Sequence, residues 1–280
     1  MNFDLFETVD VCPVCGSADF AVVYHPDINR CERCEITFRS PRPTQAEIKR
    51  SYDSGATFAS WRLETGIREI LFRKRLDLIL PFKAGGDLLD VGAGDGHFLE
   101  IAQEKFSVSG TDLSSTAARF ASERGQQVAI GQLHDLDFPE NWFDVITMWH
   151  VLEHVPAPGE VLTEARRLLK SDGIFAAAVP NEENFLFKER IKARIGRRTN
   201  PNPFGRIQWG QEIHLTHFQP RTLRSVLARF GFETVVFGVD DVYIDRSAGN
   251  LVRLAMQRFI NGLVGWHFSR AMVAVCRKSR

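Results

Sequence analysis

Asp87-Leu88-Leu89-Asp90-Val91-Gly92-Ala93-Gly94-Asp95-Gly96-His97-Phe98-Leu99 is the stretch from which the fold is read. Leu88, Leu89 and Val91 make the short apolar run of a strand covered on both faces. Gly92, Gly94 and Gly96 follow Asp90 as D-x-G-x-G-x-G. Glycines at alternate positions remove the Cβ atoms and let backbone pass close to a ligand. Phe98, Leu99, Ile101 and Ala102 open a helix whose first N–H groups point back at that ligand. The next run, residues 106–112, reads as a second strand ending on Asp112. That acid lies about 20 residues beyond the glycines, where a carboxylate accepts from ribose hydroxyls. Dinucleotides and S-adenosylmethionine are both bound this way. The dinucleotide fingerprint G-x-G-x-x-G presents amides to a pyrophosphate, and here the third glycine falls one residue early.

Three more stretches stand in order with the first: Gly110-Thr111-Asp112-Leu113-Ser114, then residues 143–155 (FDVITMWHVLEHV), then residues 168–175 (LLKSDGIF). Together they resemble the class I S-adenosylmethionine-dependent methyltransferases, in the branch that methylates small molecules such as quinone precursors and sugars. The resemblance covers residues 71–278. It implies an α/β fold, a doubly wound, seven-stranded and mostly parallel Rossmann-like sheet. It also implies a cofactor site made of Asp90, Gly92, Ala93, Gly94, Asp112, Leu113, Gln132, Leu133, Trp149 and His150. The family usually has an aspartate where this chain has Gln132. The Gln132 amide oxygen offers the same acceptor to the adenine amino group, with the Leu133 backbone as a second partner. Asp135 and Asp137 read as solvated loop acids, with a place beside the adenine as the alternative.

The 149–154 stretch follows the fourth strand at its carboxyl end, where open α/β sheets hold ligands. His150 and His154 are four apart and share a face if the turn is helical. A metal there lacks an evident third ligand. The resemblance places His154 near the methyl acceptor, against the plainer reading that it packs a helix start. The end of the stretch 209–218 resembles the E-H-L-S-Y-F run of sugar C-methyltransferases, in which a Glu–His pair sits in the acceptor pocket. His214 matches the histidine, Ile213 replaces the glutamate, and Glu212 or His217 are substitutes. His154 and His214 are therefore the candidate general bases, acting on oxygen or carbon of a small-molecule acceptor.

Outside this core, Cys12, Cys15, Cys31 and Cys34 form C-x2-C-x15-C-x2-C. Four thiolates in two such knuckles suit a tetrahedral Zn2+, and a four-ligand site is closed and structural. Residues 1–43 are expected to be a zinc ribbon with a strand at residues 20–24. Residues 44–82 are expected to be a helical lead-in. Thr44-Gln45-Ala46-Glu47 reads as a capping box. A longer helix is read over residues 57–80, with Ile67, Ile70, Leu71, Leu76, Ile79 and Leu80 near one face. Residues 83–280 are the methyltransferase domain. Strands are read at 88–91, 107–112, 127–130, 143–148 and 174–179, and helices at 97–105, 114–124 and 159–169. Residues 181–218 and 246–266 are insertions expected to act as lids. The first carries Lys188, Arg190, Lys192, Arg194, Arg197, Arg198 and Arg206. It reads as a solvated face or as a lid over an anionic acceptor. The second holds a helix read as core packing, with a lid, a dimer contact or a membrane surface as alternatives. A helix opens at Gln219-Pro220 and ends at Gly231. Residues 232–237 and 272–276 read as an antiparallel pair at the sheet edge, with Cys276 as a buried apolar residue.

The 280 residues carry 35 basic and 35 acidic side chains, a balance that argues against a general nucleic-acid binder. The first residues lack the signal-peptide pattern, and no apolar run is long enough to cross a membrane. A cytoplasmic monomer or homodimer is expected. Two rival readings remain. One is an rRNA base methyltransferase, disfavoured by neutral charge and by the lack of an N-P-P-[YF]-type motif. The other is a non-catalytic scaffold that binds the cofactor and uses its zinc ribbon for a partner.

Overall fold

The computed structural model describes residues 5–24, 27–54, 65–200, 202–205, 207–209, 212–240 and 270–279. At the N-terminus β1 (Phe6–Glu7) pairs with β5 (Arg42–Pro43). Between them β2 (Phe20–Tyr24), β3 (Ile28–Cys31) and β4 (Thr37–Arg39) form an antiparallel meander around the cysteine knuckles. Ile28, Ile36 and Phe38 are fully buried beneath it. α1 (Gln45–Asp53) follows. Thr44 is its N-cap but makes no side-chain capping bond, so the expected capping box is not formed. The reason is local. The Thr44 N–H that Glu47 would have accepted already donates to Leu5 O (3.1 Å). Glu47 turns to Arg50 instead (2.7 Å).

The central sheet is built from β6 (Asp87–Val91), β7 (Ser107–Asp112), β8 (Val128–Ile130), β9 (Phe143–Trp149), β10 (Leu169–Pro180), β12 (Phe232–Val239) and β13 (Ala271–Lys278). Its order is β12-β13-β10-β9-β6-β7-β8. The five strands from β10 to β8 are parallel neighbours, and β13 is antiparallel to both β10 and β12. The two last strands pair as expected, with β12 at the edge and β13 one place in. From β6 the chain winds outward through β7 and β8, then returns to place β9 on the other side. That reversal opens a crevice above β6 and β9.

β10 shows why the central runs are apolar without interruption. Phe175, Ala177 and Val179 pack into one core cluster, and Ile174, Ala176 and Ala178 into the other. Alternate side chains of a strand face opposite ways, so a strand covered on both faces needs both sets apolar. Cys276 on β13 is fully buried in the first cluster, as expected, and burial pushes its thiol up to about 12.

The covering helices are α2 (Thr65–Ile79), α3 (His97–Ala102), α4 (Ser115–Glu123), α5 (Pro158–Leu168), α6 (Glu182–Arg194) and α7 (Pro220–Arg229). On α2, Leu71, Phe72, Leu76 and Ile79 are buried. Ile67 and Ile70, expected on the same face, are each 40% exposed. The expected helix at 57–64 and the insertion at 246–266 lie outside the described residues.

One short strand joins the two parts of the chain. β11 (Thr216–His217) pairs antiparallel with β4 and completes a four-stranded sheet β11-β4-β3-β2. Gly159 at the start of α5 meets the first cysteine knuckle, and a Cβ there would lie 2.4 Å from Val14 O. The cysteine sheet is thus packed and hydrogen-bonded onto the larger domain.

Candidate active site

A cavity of about 570 Å³ opens at the carboxyl ends of β6, β7 and β9. All ten residues expected around a cofactor lie on its wall, as do His154 and His214. At one end the glycine turn is held by Asp112, which accepts from Gly94 N (2.9 Å) and Ser114 N (2.8 Å). Burial raises the Asp112 pKa. Gly92 has φ +70, and a Cβ there would sit 2.5 Å from Val151 Cγ2, so no other residue fits without displacing that side chain. Asp90 lies beneath, 2% exposed, and accepts from Thr147 Oγ1 (2.6 Å). Burial pushes its carboxyl up to about 7. Gln132 N-caps a short 3-10 turn at Leu133–Asp135, and its amide donates to Asp135 Oδ2 (3.4 Å). Asp135 and Asp137 are exposed. Trp149 packs between the Arg75 guanidinium (4.8 Å) and Phe98 (5.3 Å), and its buried indole N–H has no partner.

The other end is built around His154. Its Nδ1 lies 2.9 Å from Ile213 O and 2.9 Å from the Tyr52 hydroxyl. The His214 ring stands 4.8 Å away, centroid to centroid. Behind them runs a buried chain of alternating charge. Arg75 donates to Asp240 (3.1 and 2.5 Å), and both are 3% exposed. His150 bridges Asp240 (3.2 Å) and Glu153 (3.2 Å). Glu153 Oε1 is 3.8 Å from His154 Nε2. Burial opposes the charge on His150, but hydrogen bonds to Asp240 and Glu153 outweigh it and push its pKa up to about 9. Burial likewise opposes the charge on Asp240, and Arg75 and His150 hold it well below the usual carboxylate range. Burial takes His214 down to about 4. His150 carries this bridge with φ +60, a conformation a non-glycine residue holds only when its surroundings enforce it.

His150 turns away from His154 toward Asp240, so the i, i+4 pair does not converge on one ligand. Of the insertion's basic residues, Lys188 reaches the cavity wall. Arg190, Arg194, Arg197 and Arg198 are exposed, Lys192 pairs with Glu189 (2.6 Å), and Arg206 lies outside the described residues. Sequence reasoning missed Tyr52, Arg75 and Asp240. It passed over Glu153, although its place beside His154 was a signal.

The four N-terminal thiols meet as the spacing requires. Cys12 and Cys34 Sγ atoms are 3.5 Å apart, and those of Cys15 and Cys31 are 3.6 Å apart. A tetrahedron with bonds of about 2.3 Å has edges of about 3.8 Å, so the set fits zinc, and it is far too wide for disulfides.

Comparison with known proteins accords with this geometry. Residues 63–236, more than half of the chain, match a family model described as a methyltransferase domain. A Mycolicibacterium smegmatis protein named as a probable S-adenosylmethionine-dependent methyltransferase is 28% identical over 186 residues, 63% of this chain and 66% of that protein. A ubiquinone biosynthesis O-methyltransferase of Caulobacter vibrioides is 34% identical over 160 residues, 53% of this chain and 59% of that one. The chain spans about half to two thirds of the length of the curated relatives it matches. Among solved structures, a SAM-dependent methyltransferase from Archaeoglobus fulgidus has the same fold, with TM-score 0.53, 18% identity, and 78% and 99% of the two chains covered. The chain belongs to the methyltransferase-domain family.

Proposed function

We propose, with that family membership as premise, that the chain transfers a methyl group from S-adenosylmethionine to oxygen or carbon of a small-molecule acceptor. The supporting observation is a single cavity with a glycine turn and a buried carboxylate at one end and two imidazoles at the other. When bound, S-adenosylmethionine supplies an electrophilic methyl group on a positively charged sulfur. Asp112 is the ribose acceptor in this reading, and the amides around Gly92–Gly94 meet the polar tail. Gln132 and Leu133 flank the adenine, and the unpartnered Trp149 N–H offers a further donor. The protein's first contribution is to hold donor and acceptor in line, which can supply ~7–11 kcal/mol.

His154 or His214 receives the acceptor's single proton, which adds roughly 10²–10⁴-fold. Tyr52 fixes the His154 ring, and the charged chain behind Glu153 holds the carboxylate that steadies a protonated imidazole. The cysteine cluster holds a structural Zn2+ and carries no chemistry, since all four positions are filled by protein. Cytoplasmic placement belongs to the same reading, because thiol–metal sites suit a reducing compartment. No helix among the described residues is long and apolar enough to cross a membrane.

Two measurements test this. Calorimetry should show binding heat from S-adenosylmethionine. A signal from a pyridine dinucleotide and none from the methyl donor would overturn the cofactor assignment. Methyl-labelled donor incubated with a metabolite extract should yield labelled product, and His154→Ala and His214→Ala should each lower turnover more than about tenfold. Tight donor binding with no turnover in any extract would favour the scaffold reading.

A further inference from the structure

We infer that Glu153, His154 and His214 form a site for a divalent transition-metal cation at the acceptor end of the cavity. The metal reading of the sequence stopped at a histidine pair with no third ligand. The structure drops His150 from that pair and supplies two others, one adjacent in sequence and one sixty residues further on. One ligand atom from each of the three lies within 4.8 Å of the others. Ligands around an ion with bonds of about 2.1 Å sit roughly 3–4 Å apart, so the set closes on an ion by about 1 Å.

Two groups meet His154 Nδ1 at 2.9 Å: the Ile213 carbonyl, which can only accept, and the Tyr52 hydroxyl, which accepts as well as donates. In the tautomer that a metal on Nε2 requires, Nδ1–H donates to this pair. The lone pair of Nε2 then faces Glu153 Oε1 across 3.8 Å, acceptor against acceptor. Glu153 Oε2 adds a second argument. Glu153 is 1% exposed and this oxygen has no hydrogen-bond partner. A buried carboxylate oxygen left in that state is destabilising, because its desolvation is not offset. A cation between Nε2 and the carboxylate satisfies both.

The outer shell is of the kind ligating groups need. A metal-bound imidazole gives its other N–H to a carbonyl, and a ligating carboxylate is itself hydrogen-bonded. His154 does the first through Ile213, and Glu153 does the second through His150 Nδ1. The two ligand segments are also tied by backbone. Leu215 N and Thr216 N both donate to Glu153 O (2.7 and 3.1 Å), and Arg39 Nε holds His214 O (3.1 Å).

Two imidazoles and one carboxylate favour zinc, cobalt or iron over magnesium or calcium. Three protein ligands leave coordination positions for a hydroxyl oxygen of the acceptor, because His154 and His214 both face the cavity. On a coordinated hydroxyl the O–H bond breaks at lower pH, the electron pair stays on oxygen and the proton leaves to solvent. With the ion in place, loss of the proton from the coordinated hydroxyl to solvent replaces the direct proton acceptance by an imidazole proposed above. The inference rests on the proposed function only in placing the acceptor at this end.

The test is metal stoichiometry of the full chain, loaded with zinc and titrated with Co2+. A second equivalent per chain should bind with ligand-field bands and no thiolate charge-transfer bands. Thiolate bands alone, with no further equivalent bound, would mark exchange into the cysteine cluster and count against the site. Glu153→Gln and His214→Ala should each weaken the second equivalent more than about tenfold. Both should retain the first equivalent and the binding heat of S-adenosylmethionine, which shows that they fold. One metal per chain at saturating Co2+, or a second equivalent indifferent to both variants, would overturn the site. Neither result touches methyl-donor binding or turnover, so the function proposed above survives its failure.

Discussion

At the end of the cavity proposed for the cofactor, the wall comes from three neighbouring strand ends, at Asp90–Gly94, Thr111–Leu113 and Gly131–Leu133. At the end proposed for the acceptor, Tyr52, His154 and His214 come from three distant parts of the chain and are secured by Arg39, Arg75 and Asp240 from three more. The first end is fixed by local backbone, where one carboxylate closes one turn. The second depends on buried ion pairs and on a strand shared between two sheets. Disturbances far from the chemistry should therefore reach the acceptor end and spare the cofactor.

The most severe challenge to that contrast is removal of the Zn2+ proposed for the cysteine cluster. Metal binding supplies on the order of 10 kcal/mol of folding energy to small zinc modules. Chelation should release β4, and with it β11 and His214. Turnover is expected to fall more than about 100-fold, while calorimetry finds the S-adenosylmethionine Kd unchanged within about threefold. Parallel loss of cofactor affinity would show that the two ends are not separable. Asp240→Ala comes next. It leaves the Arg75 guanidinium buried without its carboxylate and should cost about 3–5 kcal/mol in a denaturant melt. Asp112→Asn probes the other end. Losing the charge that accepts at this site should cost about 1.5–3 kcal/mol, or roughly 10- to 150-fold in donor Kd, and the melt should fall too, because the new amide N–H faces one of the two backbone N–H groups that Asp112 accepts from. The mildest pair compares two helix starts. Ser114→Ala removes a formed capping bond to Ala117 N and should cost about 1 kcal/mol. Thr44→Ala removes none and should stay within about 0.5 kcal/mol.

Physical locality decided what could be read in advance. The glycine turn and Asp112 lie within one strand–helix–strand unit, so their spacing already implied their meeting. The cysteine knuckles carried the same kind of short-range information. His154 and His214 were found through resemblance, not spacing. Arg75 and Asp240 were not found. Each reads as an ordinary charged residue until tertiary packing buries the two together, 165 positions apart. β11 is two residues long and has no periodicity to read. Thr44–Glu47 fits a capping pattern that failed because Leu5 had already taken the N–H it needed.

The shared strand β11 also bears on how such chains can be rearranged. A cysteine module grafted from a relative would arrive without the complementary edge that Thr216 and His217 present to Phe38 and Thr37. Residues 1–43 and the segment after α6 should therefore travel as one cassette. A chimera exchanging only the first piece is expected to leave His214 misaligned, and a chimera exchanging both should restore it.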